Sequence, residues 1–391
     1  MARQRTRALI PLASTVAALS LLAACGSDGG STGSDPSTPA VTSATTAPSD
    51  AIVAGQPITA ARCEANKAAG KITYLSGFDF AASASIVDVL VAKQKGYFAD
   101  LCLDVEVSPS FSTTNYPLIA SNAAQFSSGG SFSEVLSYGA KNDADFRVLA
   151  VEGKTGIDTL IVKDGKAPTI EDLKGTTIGI KGALPSGVKA MLLAHGLVEG
   201  KDFQTALLDG FDPVAQMAIP GIVGLPGFKS NEPGQLERAG VKFHTFDPAA
   251  EGIPGSFGIL YTNAKFLDAH PTAAVDFMRA SMKGLADAIA DPAAAAKIAV
   301  DDINGHGNPN YLSPEGETFR WNTESKLVTD STPKGQAVGA VDVALLQKEV
   351  DAYAKVGLFG DGDTVPSVEP VADPSVLQQV YAPDATVIWP S

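Results

Sequence analysis

Residues 89–107 read VLVAKQKGYFADLCLDVEV, and this stretch decides the fold. The segment up to Lys95 is helical in character and is followed by Gly96. Glycine just past a helix end adopts the left-handed conformation without a Cβ penalty and stops the helix. Leu103-Asp104-Val105-Glu106-Val107 then alternates strictly between apolar and acidic residues, the mark of a half-buried strand. Upstream, Lys71-Ile72-Thr73-Tyr74-Leu75 reads as a strand and Ser76-Gly77-Phe78-Asp79-Phe80 as a loop, with a helix over 83–95. Strand, helix and strand in so short a span predict a parallel βαβ unit.

Further along, Thr169 and Asp172 stand at capping-box spacing around a short helix, and Thr177-Ile178-Gly179-Ile180 is a strand. The turn over residues 181–187 opens a helix that runs to about His195, where Gly196 stops it. Asp212-Pro213 places a cap and a first-turn proline at the start of another helix. Strand candidates follow at 222–225, 241–246 and 259–261. Val275, Met278, Met282, Leu285 and Ile289 step by three and four along a helix face. The two methionines on it read as core filling. Asp291-Pro292 starts one more helix, and Val343, Leu346, Val350 and Tyr353 mark another.

The N-terminus has a different character. Arg3, Arg5 and Arg7 precede an apolar run over residues 8–24 that is interrupted by Pro11, Ser14, Thr15 and Ser20. A membrane-spanning helix needs about 20 predominantly apolar residues, so residues 1–24 read as an export signal. Its Leu22-Ala23-Ala24-Cys25 ending resembles the bacterial lipoprotein signal, which implies acylation of Cys25 and a lipid anchor in the cell membrane. Residues 25–59 are largely Gly, Ser, Thr, Pro, Ala and Asp, too polar to offset their ordering entropy by burial, and read as a flexible leash.

The rest of the 391-residue chain is long enough for about two domains. Net charge is −14, and loss of the three leader arginines makes it −17, which argues against a nucleic-acid partner. Of three cysteines, Cys63 and Cys102 remain beside Cys25. An even pair in an oxidising compartment predicts a disulfide tying the segment before the first strand to the 101–107 region.

Four stretches together resemble the substrate-binding proteins of ATP-driven importers. The superfamily concerned holds the nitrate-, sulfonate- and taurine-type binders and the thiamine-pyrimidine-precursor-type proteins. The stretches are residues 89–107, IEDLKGTTIGIKGALPSG at 170–187, GFKSNEPGQLERAG at 227–240, and FLDAHPTAAVDFMRASMKGLADAI at 266–289. The resemblance implies an α/β, two-lobed periplasmic-binding-protein-like fold of type II with a ligand cleft between the lobes. Lobe 1 is expected over 60–160 and 260–391 and lobe 2 over 161–259, with crossing strands near 159–163 and 257–261. It implies a permease and an ATPase as partners, a monomeric protein outside the cytoplasm, and no cofactor. The cysteine-rich motif of the superfamily's fungal precursor-synthesising enzymes has no counterpart here, so binding is carried over and synthesis is not.

In open α/β sheets ligands sit beyond the carboxyl ends of strands, beside helix starts. That rule nominates Phe78, Asp79 and Phe80 after the first strand, where aromatics could stack on a ring and a carboxylate could accept from amino groups. They could equally pack inward, with Asp79 capping a helix. Ser128, Gly129, Gly130 and Ser131 offer hydroxyls and approachable backbone N–H groups, and Ser112 and Thr113 are further nominees, with Phe111, Thr114 and Trp321 behind them. Leu184, Pro185 and Ser186 lie in a turn with Gly-x-x-x-x-Gly spacing, but Val188 stands where a phosphate loop has lysine, which excludes nucleotide hydrolysis. Asn231 and Glu232 could bind polar ligand edges or be ordinary surface.

His195, His244, His270 and His306 are scattered without metal-ligand spacing, and no Gly-x-Ser-x-Gly elbow occurs; no metal and no catalytic residue is expected. The expected function is capture of a pyrimidine-like, thiamine-precursor-like or other heteroaromatic solute. An anion binder of the nitrate, sulfonate or taurine type and a surface enzyme on the same fold are the alternatives. Lys154 and Lys181 are the basic candidates an anion site would draw on.

Overall fold

The alternation over 103–107 is a strand. β1 (Lys71–Leu75) pairs in parallel with β2 (Asp104–Ser108), joined through the helix Val87–Gln94. The computed structural model describes residues 50–307, 313–360 and 364–391; Cys25 and the leader lie outside them. The chain continues through β3 (Phe126–Gly129) and β4 (Phe146–Gly153), then builds a second sheet from β5 (Asp158–Lys163), β6 (Thr177–Ile180), β7 (Gln204–Leu207), β8 (Ile222–Phe228) and β9 (Phe243–Phe246). Strand β10 (Phe257–Asn263) returns to the first sheet, antiparallel to both β3 and β4. The sheet orders are β2-β1-β3-β10-β4 and β7-β6-β8-β5-β9.

The crossing strands read from the sequence at 159–163 and 257–261 are parts of β5 and β10, each within one sheet. The chain passes between sheets in the irregular segments before them, 154–157 and 247–256. These two segments touch backbone to backbone: a Cβ added to Gly255 would stand 2.7 Å from the Gly156 Cα. Glycine is needed there because no side chain fits.

The helix expected over 83–95 becomes regular only at Val87. Ser85 has a positive φ of 61°, and the N–H of Ala84 and hydroxyl of Ser83 are engaged by a distant carboxylate rather than by the helix. Of the capping signals, those at Asp212 and Asp291 hold. At Thr169 only half of the expected box forms: the 3₁₀ turn Glu171–Leu173 starts after Ile170 with no side-chain cap, and Thr169 donates its N–H and hydroxyl to Asp172. Asp212 and Asp291 accept first-turn N–H groups of the helices Pro213–Met217 and Pro292–His306.

The helix Pro271–Ala290 buries Val275, Met278, Met282 and Leu285 against the first sheet, with Ile289 partly covered. A separate cluster built on Val188, Met191 and Leu192 fills the second lobe. Cys63 and Cys102 form a disulfide with Cα atoms 5.3 Å apart. Beside it, buried Asp276 accepts from Arg62, Asn66 and Arg279 at 2.7–3.1 Å, while Arg279 also donates to the carbonyls of Gln379 and Ile388. One carboxylate thus fastens the first helix, Ala60–Lys67, and the C-terminal tail to the same lobe. Among the described residues, no helix is long and apolar enough to cross a membrane.

Candidate functional site

A cavity of about 280 Å³ opens between the sheets, at the carboxyl ends of β1 and β3 on one side and beside β5 and β8 on the other. Its first wall is the loop after β1. A Cβ on Gly77 would fall 2.8 Å from Ser128 Oγ and 2.9 Å from Ser112 Oγ, so glycine lets this loop lie on the serines. An isolated bridge between Phe78 and Phe111 fixes the loop, and the two rings meet edge to face at 5.8 Å. Ser131 caps the helix Phe132–Asn142 in a reciprocal box with Glu134, which turns Ser128, Gly129, Gly130 and Ser131 toward the cavity.

The opposite wall comes from the second sheet. The Ser186 helix start, half-exposed Phe228, Ser230 and Asn231 face the same space. Glu232 does not; it is buried behind the turn, accepts the Phe228 N–H at 2.8 Å and pairs with Lys181 at 3.2 Å. It supports the turn that presents Phe228.

Of the residues nominated from sequence, Phe78, Ser112, Ser128, Gly129, Gly130, Ser131, Ser186 and Asn231 line the cavity. The others lie elsewhere. Phe80 is core, edge-on to His306. Asp79 turns back with a positive φ of 46°, its N–H donating to Ser110. Thr113 is exposed on its helix, Leu184 is buried in the second lobe's core, and Pro185 precedes the helix that Ser186 begins. Trp321 is buried, its indole N–H held by the Ala288 carbonyl.

Sequence reasoning missed Glu134, Asp158, Ser230, Arg320, Glu324 and Tyr353, all of which face the cavity. Asp158 opens β5 directly after the first crossing. Glu317, Arg320 and Glu324 step by three and four along the helix Pro314–Ser331, a spacing that puts them on one face; that stripe was a readable signal.

The lining carries three carboxylates, Glu134, Asp158 and Glu324, against one guanidinium. Desolvation between the cleft walls, aided by the Glu134 carboxylate, pushes the Asp158 carboxyl up to about 7. Burial also raises that of Glu324. Arg320 is already committed: Nη1 donates to both oxygens of Glu317 at 2.9 and 2.8 Å, and the guanidinium stands 5.9 Å from the Phe78 ring centre. Lys229 is turned into the crossing, donating to the Gly156 carbonyl and pairing with Asp247. The lining combines aromatic rings from both lobes, Phe78 and Phe228, with carboxylate acceptors, a composition suited to a flat ring carrying N–H donors. Among the described residues no cluster of three His, Cys, Asp or Glu could hold a metal ion.

Residues 83–295 match the family model described as NMT1/THI5 like. The riboflavin-binding protein RibY of Chloroflexus aurantiacus is 28% identical over 174 residues, 42% of this chain and 44% of RibY, so the match spans less than half of that relative's length. Among solved structures, the putative sulfonate-binding protein SsuA from Methylobacillus flagellatus KT superposes with a TM-score of 0.57 at 15% identity, covering 79% of this chain and 92% of that one. The desulfurization enzyme DSZB superposes with a TM-score of 0.54 at 14% identity, covering 78% and 98%. The shared architecture is the periplasmic-binding-protein fold.

Proposed function

This chain belongs to the NMT1/THI5-like family, and from that premise we propose that it is an extracytoplasmic solute-binding protein of an ATP-driven importer, closing on a small heteroaromatic compound and presenting it to the permease. The observation that carries the ligand class is the composition of the cleft: Phe78 and Phe228 from opposite lobes, with the carboxylates of Asp158 and Glu134 in the same lining. A ring with amino or ring N–H groups meets both needs. Arg320 is the one Arg or Lys among the described lining residues, and it is neutralised by Glu317, so a sulfonate or nitrate finds no uncommitted cation. RibY, by its name, binds riboflavin, which supports a heteroaromatic guest. The cavity, about 280 Å³, falls just under the usual range of roughly 300–1,000 Å³ and favours a single ring of the pyrimidine, thiamine-precursor kind over a tricyclic flavin.

The lipoprotein-like ending at Cys25 and the Gly-, Ser-, Thr- and Pro-rich composition of 25–59 support acylation there, holding a monomer at the outer face of the membrane beside its permease. Ligand contacts to both lobes favour the closed form, which the permease reads. The test is a thermal-shift panel of aminopyrimidines, riboflavin, alkanesulfonates and nitrate. An aminopyrimidine at a hundredfold excess over Kd should add roughly 2.7 kcal/mol of stability, and the anions none. Stabilisation by sulfonate alone would overturn the ligand class, and consumption of the added compound would make the protein an enzyme on this fold, as DSZB is.

A further inference from the structure

One buried carboxylate joins the two lobes across the back of the cleft. Glu324 is 2% exposed, on the helix Pro314–Ser331. Its Oε2 accepts the Ser83 hydroxyl at 2.8 Å and the Ala84 N–H at 2.6 Å, both from the segment before Val87 in the first lobe. Its Oε1 accepts the Ser230 hydroxyl at 2.7 Å, and Ser230 stands two residues beyond β8, in the second lobe. Ser230 is itself 1% exposed, so water competes little for the bond.

The helix that bears Glu324 is fastened to both sides by neighbouring positions. Glu317 accepts the Ala82 N–H at 2.9 Å, and Arg320 lies over Phe78. Phe319 fills the space above Gly234, where an added Cβ would come within 2.5 Å of its ring. Ser331, at the helix end, accepts the Lys154 N–H in the first crossing segment. A single element therefore touches the ligand loop, the Ser230 turn and the hinge. Closure about the crossings must lengthen or shorten the contact between Glu324 and Ser230, because the other two donors belong to the first lobe.

We propose that Glu324 is an interlobe latch: its hydrogen bond to Ser230, anchored by Ser83 and Ala84, sets the opening of the cleft and couples the helix Pro314–Ser331 to lobe closure. The inference deepens the solute-binding reading, since it assumes that the cleft opens and closes, but its test needs no ligand. Spin labels on cysteines introduced at exposed Ser121 and Lys201, one in each lobe, report the interlobe distance in the unliganded protein. Amide exchange at Ala84 reports the first-lobe half of the latch. Ser230→Ala should shift the distance distribution to longer values with Ala84 exchange unchanged. Glu324→Ala should do the same and speed Ala84 exchange roughly tenfold, the loss of one charge-assisted hydrogen bond. If Glu324→Ala fails to fold, Ser230→Ala decides alone. Wild-type distances in the folded Ser230→Ala protein would overturn the latch and leave the ligand class untouched; failure of every compound in the binding panel would leave the latch intact.

Discussion

Asp158 stands where an N–H donor entering the cleft would meet a carboxylate, and its titration gives the site a sign. Its carboxyl is raised from the ordinary 3.8 to about 7, so the empty folded protein keeps a proton that the unfolded chain has already released near pH 4. Stability from this group is therefore full below about pH 4 and declines as pH rises through about 7. A bound cation or N–H donor favours the ionised form, so affinity should climb over the upper part of the same window. Asp158→Asn should flatten both slopes, measured as melting temperature and as Kd between pH 5 and 8. Phe228→Ala should weaken an aromatic guest about tenfold by calorimetry, the scale of one lost ring contact, with little change in melting of the empty protein because Phe228 is 46% exposed. Phe78 was legible because it follows the first strand, where topology puts the cleft, and Ser128 because its hydroxyl and the adjoining glycines sit where the resembling family's first lobe meets its ligand. Asp158 and Ser230 were not, and the Glu317–Arg320–Glu324 stripe showed only a shared helix face, because their meeting depends on two sheets and a helix far apart in the chain.

At the scale of elements, the N-terminal helix and the C-terminal tail depend on one buried charge cluster. Asp276→Ala leaves Arg62 and Arg279 buried without their shared carboxylate, and should cost about 3–5 kcal/mol in denaturant unfolding. The hinge depends on the Gly156–Gly255 contact. Gly255→Ala must separate the crossing segments, and should lower folding stability by about 1–3 kcal/mol, the usual cost of overpacking, read by denaturant unfolding, while the two sheets stay folded by circular dichroism. The βαβ unit, the caps at Asp212 and Asp291 and the long apolar helix face were readable because each is local, fixed by spacing within one or two turns. The start of the helix at Val87 was not local: Glu324, more than two hundred residues on, takes the donors of Ser83 and Ala84.

For the molecule as a whole, the proposed acylation of Cys25 would set where the cleft operates. Acyl chains on Cys25 would give membrane attachment that scales with buried chain length, about 0.8 kcal/mol per CH₂, so on that proposal Cys25→Ser moves the protein from the membrane fraction to the soluble fraction while leaving ligand affinity unchanged. The two-lobed architecture was implied by the family resemblance of four stretches, yet the passages between lobes lie in irregular backbone that periodicity cannot mark. The measurement that bears most directly on the account is calorimetric titration of the purified protein with an aminopyrimidine, followed by recovery of the compound. One molecule bound per chain and returned unaltered, with binding lost when Phe78 and Phe228 are both changed to alanine, is the predicted result. Turnover of the compound, or binding that survives the loss of both rings, would contradict it.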